Sequence, residues 1–95
     1  MKFAAIIEYV QDRAKVAELR PVHRQYLTDL KAKGRLAACG PFTDDSGALI
    51  VYEAATREEA EGLLKADPFN QNGVFVSYQL RPWNAVMANR ELFPA

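Results

Sequence analysis

The chain has 95 residues, with 12 Lys and Arg balancing 12 Asp and Glu, so it lacks the net basic field that a nucleic-acid phosphate backbone requires of a partner. Hydrophobic residues make up 49% and charged residues 25%, with five glycines and five prolines, which excludes a disordered chain and predicts one globular domain over residues 1–95. Cys39 is the single cysteine and His23 the single histidine, which excludes an intramolecular disulfide and a multi-thiolate metal site; neither a metal nor a cofactor is expected, and the expected compartment is the cytoplasm.

The apolar runs Phe3 to Ile7 and Ala48 to Tyr52 have strand length, so neither a signal peptide nor a membrane span is expected. Residues 2–10 begin with β-formers and predict a first strand that is apolar on both pleat faces. From Asp12 to Lys33 the pattern is helical, but Pro21 lacks an N–H and belongs at a helix start, so a short turn is expected before a main helix from Arg20. Gly34 is its stop signal. Residues 35–42 predict a second strand, which Gly40 and Pro41 assign to an edge or a bulge, and residues 43–47 predict a turn.

Residues 48–54 predict the strongest strand, again apolar on both faces. Thr56 to Glu59 fits a capping box for a second helix whose apolar stripe is Ala60, Leu63 and Leu64, ended by Pro68. Residues 74–81 alternate, with Val74, Val76, Tyr78 and Leu80 on one side and Phe75, Ser77, Gln79 and Arg81 on the other, which predicts a fourth strand. Beyond Pro82 the apolar residues Trp83, Val86, Met87, Leu92 and Phe93 are too short a set to bury themselves.

The order β-α-β-β-α-β predicts an α+β, ferredoxin-like fold, an antiparallel four-stranded sheet with two helices on one face. Because the first and third strands are apolar on both sides, the other face needs a cover. The expected cover is a second copy of the chain, a homodimer with sheets face to face and residues 83–95 bracing the contact.

Advancing 100° per residue from Leu19 places Leu30 at about 20°, His23 at about 40° and Tyr26 at about 340°, so His23 points inward with the apolar stripe. With Ala60 at zero, Asp67 falls at about 340° if helical geometry lasts that far. Chain direction brings the start of the first helix and the end of the second to one end of the domain. His23 and Asp67 are therefore expected to face each other there, near the Asp44-Asp45-Ser46 turn, Phe69 and the entry of the fourth strand. A carboxylate bonded to one imidazole nitrogen fixes the tautomer and lets the other nitrogen shuttle protons near neutral pH. His23 and Asp67 are thus candidate catalytic residues.

The segments Arg20-Pro21-Val22-His23, Tyr26-Leu27, Gly34-Arg35-Leu36, Gly40-Pro41, Ala66-Asp67-Pro68-Phe69 and Arg81-Pro82-Trp83, in this order and spacing, resemble the YCII-related family of the dimeric α+β barrel superfamily. The resemblance spans nearly the whole sequence. It implies a ferredoxin-like protomer, a dimer, and a pocket whose active His and Asp fall on His23 and Asp67. One resembling branch dehydrochlorinates a chlorinated hydroxyhydroquinone, and related barrels act on lactones and small aromatics.

Three further residues are candidates for substrate binding. Arg20 at a helix start suits a carboxylate or phenolate, Ser46 sits in a polar turn, and Phe69 follows Asp67. Cys39, beside a strand glycine, reads as a small buried hydrophobe, and Trp83 as a dimer-contact residue. Basic residues crowd 13–35 and acidic ones 53–67, so the two helices are mildly complementary. The expected function is a small lyase or isomerase in which His23 moves a proton on a small cyclic or aromatic substrate and Asp67 orients it. A non-catalytic dimeric module that binds a small ligand or another protein is the competing expectation.

Overall fold

A computed structural model describes residues 1–94, so the Ala95 end of the expected 83–95 brace lies outside the described residues. The elements run β1 (Lys2–Tyr9), α1 (Arg13–Ala32), β2 (Leu36–Pro41), β3 (Gly47–Glu53), α2 (Arg57–Lys65), α3 (Pro68–Gln71) and β4 (Phe75–Trp83), with a final 3₁₀ turn at Arg90–Leu92. The sheet is antiparallel in the order β2-β3-β1-β4, and the helices pack on one face of it. This is the predicted ferredoxin-like arrangement. No helix among the described residues is long and apolar enough to cross a membrane.

The core lies between this face and the helices. Phe3, Ala5, Ile7 and Tyr9 of β1 point inward, and register sets Tyr52, Ile50 and Ala48 of β3 beside the first three. The intervening residues Ala4 and Ile6 pair with Val51 and Leu49 on the opposite face, where Ile6 and Leu49 remain exposed. The total surface, 6377 Å², exceeds the roughly 5,500 Å² that the scaling law gives for this mass. That open face and the exposed Val86, Met87, Leu92 and Phe93 are part of the excess.

Helix α1 departs from the predicted start at Arg20: it is continuous from Arg13, with Pro21 inside it. Proline withholds the hydrogen bond to the carbonyl of Ala17, but both residues are exposed, so that carbonyl faces water. The buried stripe of Val16, His23, Leu27 and Leu30 runs past the break and holds the helix against the sheet. Asp12 caps the start by accepting from the Lys15 amide at 3.1 Å. Gly34, at φ 72°, ends it in the left-handed region, and the Arg35 amide returns to the Leu30 carbonyl at 2.8 Å.

In α2, the Thr56 hydroxyl accepts from the Glu59 amide at 3.2 Å as predicted, while the Glu59 carboxylate turns to Arg35 and leaves the capping box half made. The helix stops at Lys65. Pro68, expected only as a terminator, opens the short helix α3, where its missing N–H costs nothing.

Two bulges redirect side chains. Glu8 pairs with Ser77 and Tyr9 with Phe75, so Val76 is the extra residue of β4. The predicted alternation therefore breaks at this point: Phe75 turns into the core at 8% exposure and Val76 out of it at 53%. The edge strand β2 bulges at Ala37 rather than at Gly40, which sets Cys39 beside Ile50 on the helix side of the sheet.

Gly47 opposes Glu8 where β3 passes β1, and a Cβ there would run into the backbone carbonyl of Ile7. The strands can accommodate it only by separating, so Gly47→Ala is expected to cost about 3 kcal/mol or more. Chemical denaturation of the two proteins checks this, and a loss below about 1 kcal/mol would show that the register relaxes freely.

Candidate functional site

His23 enters the site because it shares the apolar stripe of α1; it is 5% exposed. Asp67 arrives by a different route from the one predicted. Pro68 disfavours helical geometry at the residue before it, and Asp67 accordingly leaves α2 with φ −63° and ψ 131° to become the N-cap of α3. Its Oδ1 accepts from the Phe69 amide at 2.8 Å and from His23 Nδ1 at 2.7 Å. Asp67 is fully buried, and its Oδ2 and the Tyr52 hydroxyl are the buried side-chain polar atoms without a protein partner among the described residues.

An aromatic wall fixes the imidazole plane. The Phe69 ring stacks on His23 with centroids 3.8 Å apart and planes 6° from parallel. Phe75 meets His23 edge-on at 6.2 Å, and Tyr9 meets Phe69 edge-on at 5.4 Å. Phe69, a candidate for substrate contact, has no exposed surface, so it backs the imidazole rather than facing a ligand.

With Nδ1 donating to Asp67, the proton-accepting position is Nε2. His23 lines a cavity of about 300 Å³ between α1 and the β2–β3 edge, together with Leu27, Leu36, Ile50, Tyr9 and Cys39. Cys39 is exposed here instead of buried, because β2 has a neighbour on one side only. Partial desolvation of its thiol by the cavity wall still raises its pKa above the ordinary value, with the Asp67 carboxylate adding to the rise and the cations Arg24 and Lys31 opposing it.

Arg20 and Ser46 are not brought to this cavity. The Arg20 guanidinium is held by Asp45 at 2.6 Å, and Asp45 itself sits in the left-handed region at φ 61°. The Ser46 hydroxyl donates to Asp44 at 2.6 Å. Ser46, Asp44 and Asp45 border a separate open groove of about 1080 Å³ that His23 does not line. Among the described residues, no group of three or more His, Cys, Asp and Glu is placed to hold a metal ion.

Tyr9 lines both cavities and was read in the sequence only as the end of a strand. Its inward parity with Ile7 was legible; its place over the start of α1 was not. Burial pushes its pKa from 10.0 up to about 12, opposed by the positive charge of Arg20. Tyr26 and Tyr52 shift upward for the same first cause, with the Asp67 carboxylate adding to it. Between pH 10.0 and about 12 the folded chain thus keeps the Tyr9 proton that the unfolded chain has lost. The stability that Tyr9 contributes is therefore expected to be fully present below pH 10.0 and to be lost as pH climbs through about 12. Denaturant titrations across the alkaline range check the sign, with phenolate absorbance following ionisation; phenolates appearing before any loss of stability would show that these tyrosines are not buried.

The protein-family model for the YCII-related domain matches residues 1–84. Over 92 residues the chain is 30% identical to Protein YciI of Escherichia coli, covering 82% of this chain and 94% of that protein. It is 41% identical over 51 residues to the uncharacterized protein YjpA of Bacillus subtilis, covering 54% of this chain and 60% of that protein. Among solved structures, the fold superimposes with a TM-score of 0.78 on 5-chloro-2-hydroxyhydroquinone dehydrochlorinase (TftG) of Burkholderia phenoliruptrix in complex with 2,5-dihydroxybenzoquinone. That match covers 88% of this chain and 94% of the other at 24% identity. On the match over residues 1–84 and the likeness to YciI, the chain belongs to the YCII-related family.

Proposed function

We propose that the chain is a small cytoplasmic enzyme of the lyase or isomerase type, acting on a small cyclic or aromatic compound with His23 as the acid/base group and Asp67 orienting it. The observation that carries this reading is the 2.7 Å contact between His23 Nδ1 and a fully buried carboxylate, beside a cavity that His23 lines. A proton leaves a substrate O–H or C–H for Nε2. The electron pair left behind either expels a leaving group such as chloride or takes a proton back at another atom of the ring, the imidazolium being its donor. Asp67 holds the tautomer and orients the imidazole. The structural neighbour, a dehydrochlorinase bound to a dihydroxybenzoquinone, supports a small ring as substrate.

A homodimer belongs to the same proposal. Ile6 and Leu49 face each other across β1 and β3 on the uncovered side of the sheet, and Trp83 and the apolar residues after it are also exposed. A second sheet is the cover that this pattern suits. Sedimentation equilibrium is expected to give twice the mass of the chain, and a monomer at all concentrations would remove the sheet-to-sheet contact from the proposal.

The catalytic role is tested by screening small cyclic acids and phenols for thermal protection and turnover, then repeating the measurements on His23→Ala and Asp67→Ala. Turnover is expected to fall by about 10²- to 10⁴-fold in His23→Ala, with the fold retained by circular dichroism. A sharp fall in Tm for His23→Ala, with no compound protecting the native chain, would make the histidine structural. Protection without turnover of any compound would favour the non-catalytic binding module.

A further inference from the structure

We propose that the His23 cavity selects a monocyclic organic anion, with Arg24 and Lys31 holding its charged substituent while Leu27, Leu36 and Ile50 enclose its ring. This rests on the reading of the cavity as a substrate site and adds the ligand's charge, which an acid/base imidazole does not by itself require.

The walls decide the ring. Leu27 of α1 and Leu36, Pro41, Ala48 and Ile50 of the β2–β3 edge supply apolar surface. A volume of about 300 Å³ lies at the lower end of the range of ligand cavities and suits one substituted six-membered ring. The mouth decides the charge. Arg24 and Lys31 are seven residues apart on α1, close to two helical turns, and so rise from one side of it. Both border the cavity, and no Asp or Glu does. Their fields reach the Cys39 thiol on the opposite wall, where each favours the thiolate and the buried Asp67 carboxylate opposes them.

Of the cations that do not border this cavity, several have counter-charges, and the rest lie away from it. Arg20 is bound by Asp45, Arg35 by Glu59, Lys2 by Glu53 and Lys65 by Glu61. Arg24 and Lys31 make no ion pair among the described residues. Two uncompensated cations over an apolar slot attract an anion and repel a cation. The carboxylate or phenolate for which the sequence nominated Arg20 is therefore assigned to Arg24, one residue beyond His23, and to Lys31.

Benzoate and benzamide, nearly equal in shape and differing in charge, test this by NMR titration of the native chain and of the double variant Arg24→Gln, Lys31→Gln, with the His23 ring resonances as reporter. Benzoate is expected to bind about tenfold more tightly than benzamide at low salt, with that preference shrinking as salt is added and lost in the double variant. Retention of fold in the variant is read from its unshifted core methyl signals. Equal binding of the two probes, an anion preference that survives the double substitution, or His23 resonances that benzoate does not move would each overturn the inference. Because binding is the readout, a chain that prefers benzoate in this way yet turns over no ring compound keeps the anion site and loses the acid/base reading.

Discussion

One oxygen of Asp67 does two jobs: it caps α3 through the Phe69 amide and it receives the proton on His23 Nδ1. A carboxylate with no exposed surface is costly unless donors meet it, and here the donors come from its own next turn and from a helix 44 residues earlier in the chain. Helix α1 is thereby tied to the α2–α3 junction at the point where the imidazole must be oriented. The contact that orients the ring also joins two elements distant in the chain.

Around that contact the structure is rigid on one side and open on the other. Phe69 lies flat against the imidazole, with Phe75 and Tyr9 edge-on behind, so the ring has little freedom to tilt away from Asp67. The remaining side gives onto the slot between α1 and β2, an edge strand whose incomplete cover leaves Cys39 and the basic face of α1 accessible. A buried, oriented imidazole beside an accessible slot is what the proposed proton transfer on a small molecule asks of a protein. The same sheet leaves Ile6 and Leu49 uncovered on its far side, so the surfaces proposed for a ligand and for a second copy are on opposite faces.

Much of this was readable in the chain itself. The stripe through Leu19, His23, Leu27 and Leu30 placed His23 inward because helical period depends only on neighbours within a turn or two. Asp67 was expected opposite it through an extension of α2, yet reaches the position because Pro68 forces an extended residue there and starts a new helix. Pro21 was read as a helix start because its local cost is real; tertiary packing of Val16 below it and His23 above it carried the helix through. Phe75 defied its alternation because Val76 bulges, an event visible only once β4 lies against β1.

The order of the four strands and two main helices, the Thr56 cap, the Gly34 stop and the inward aim of His23 were determined by the sequence alone, since each depends on groups only a few residues apart. Only the tertiary structure decided that Asp45 neutralises Arg20, that Phe69 backs the imidazole, that Tyr9 borders the site and that Arg24 and Lys31 stand uncompensated at its mouth. Those outcomes turn on which side chains meet across long stretches of chain, and pairing between distant charges and rings has no local period to announce it.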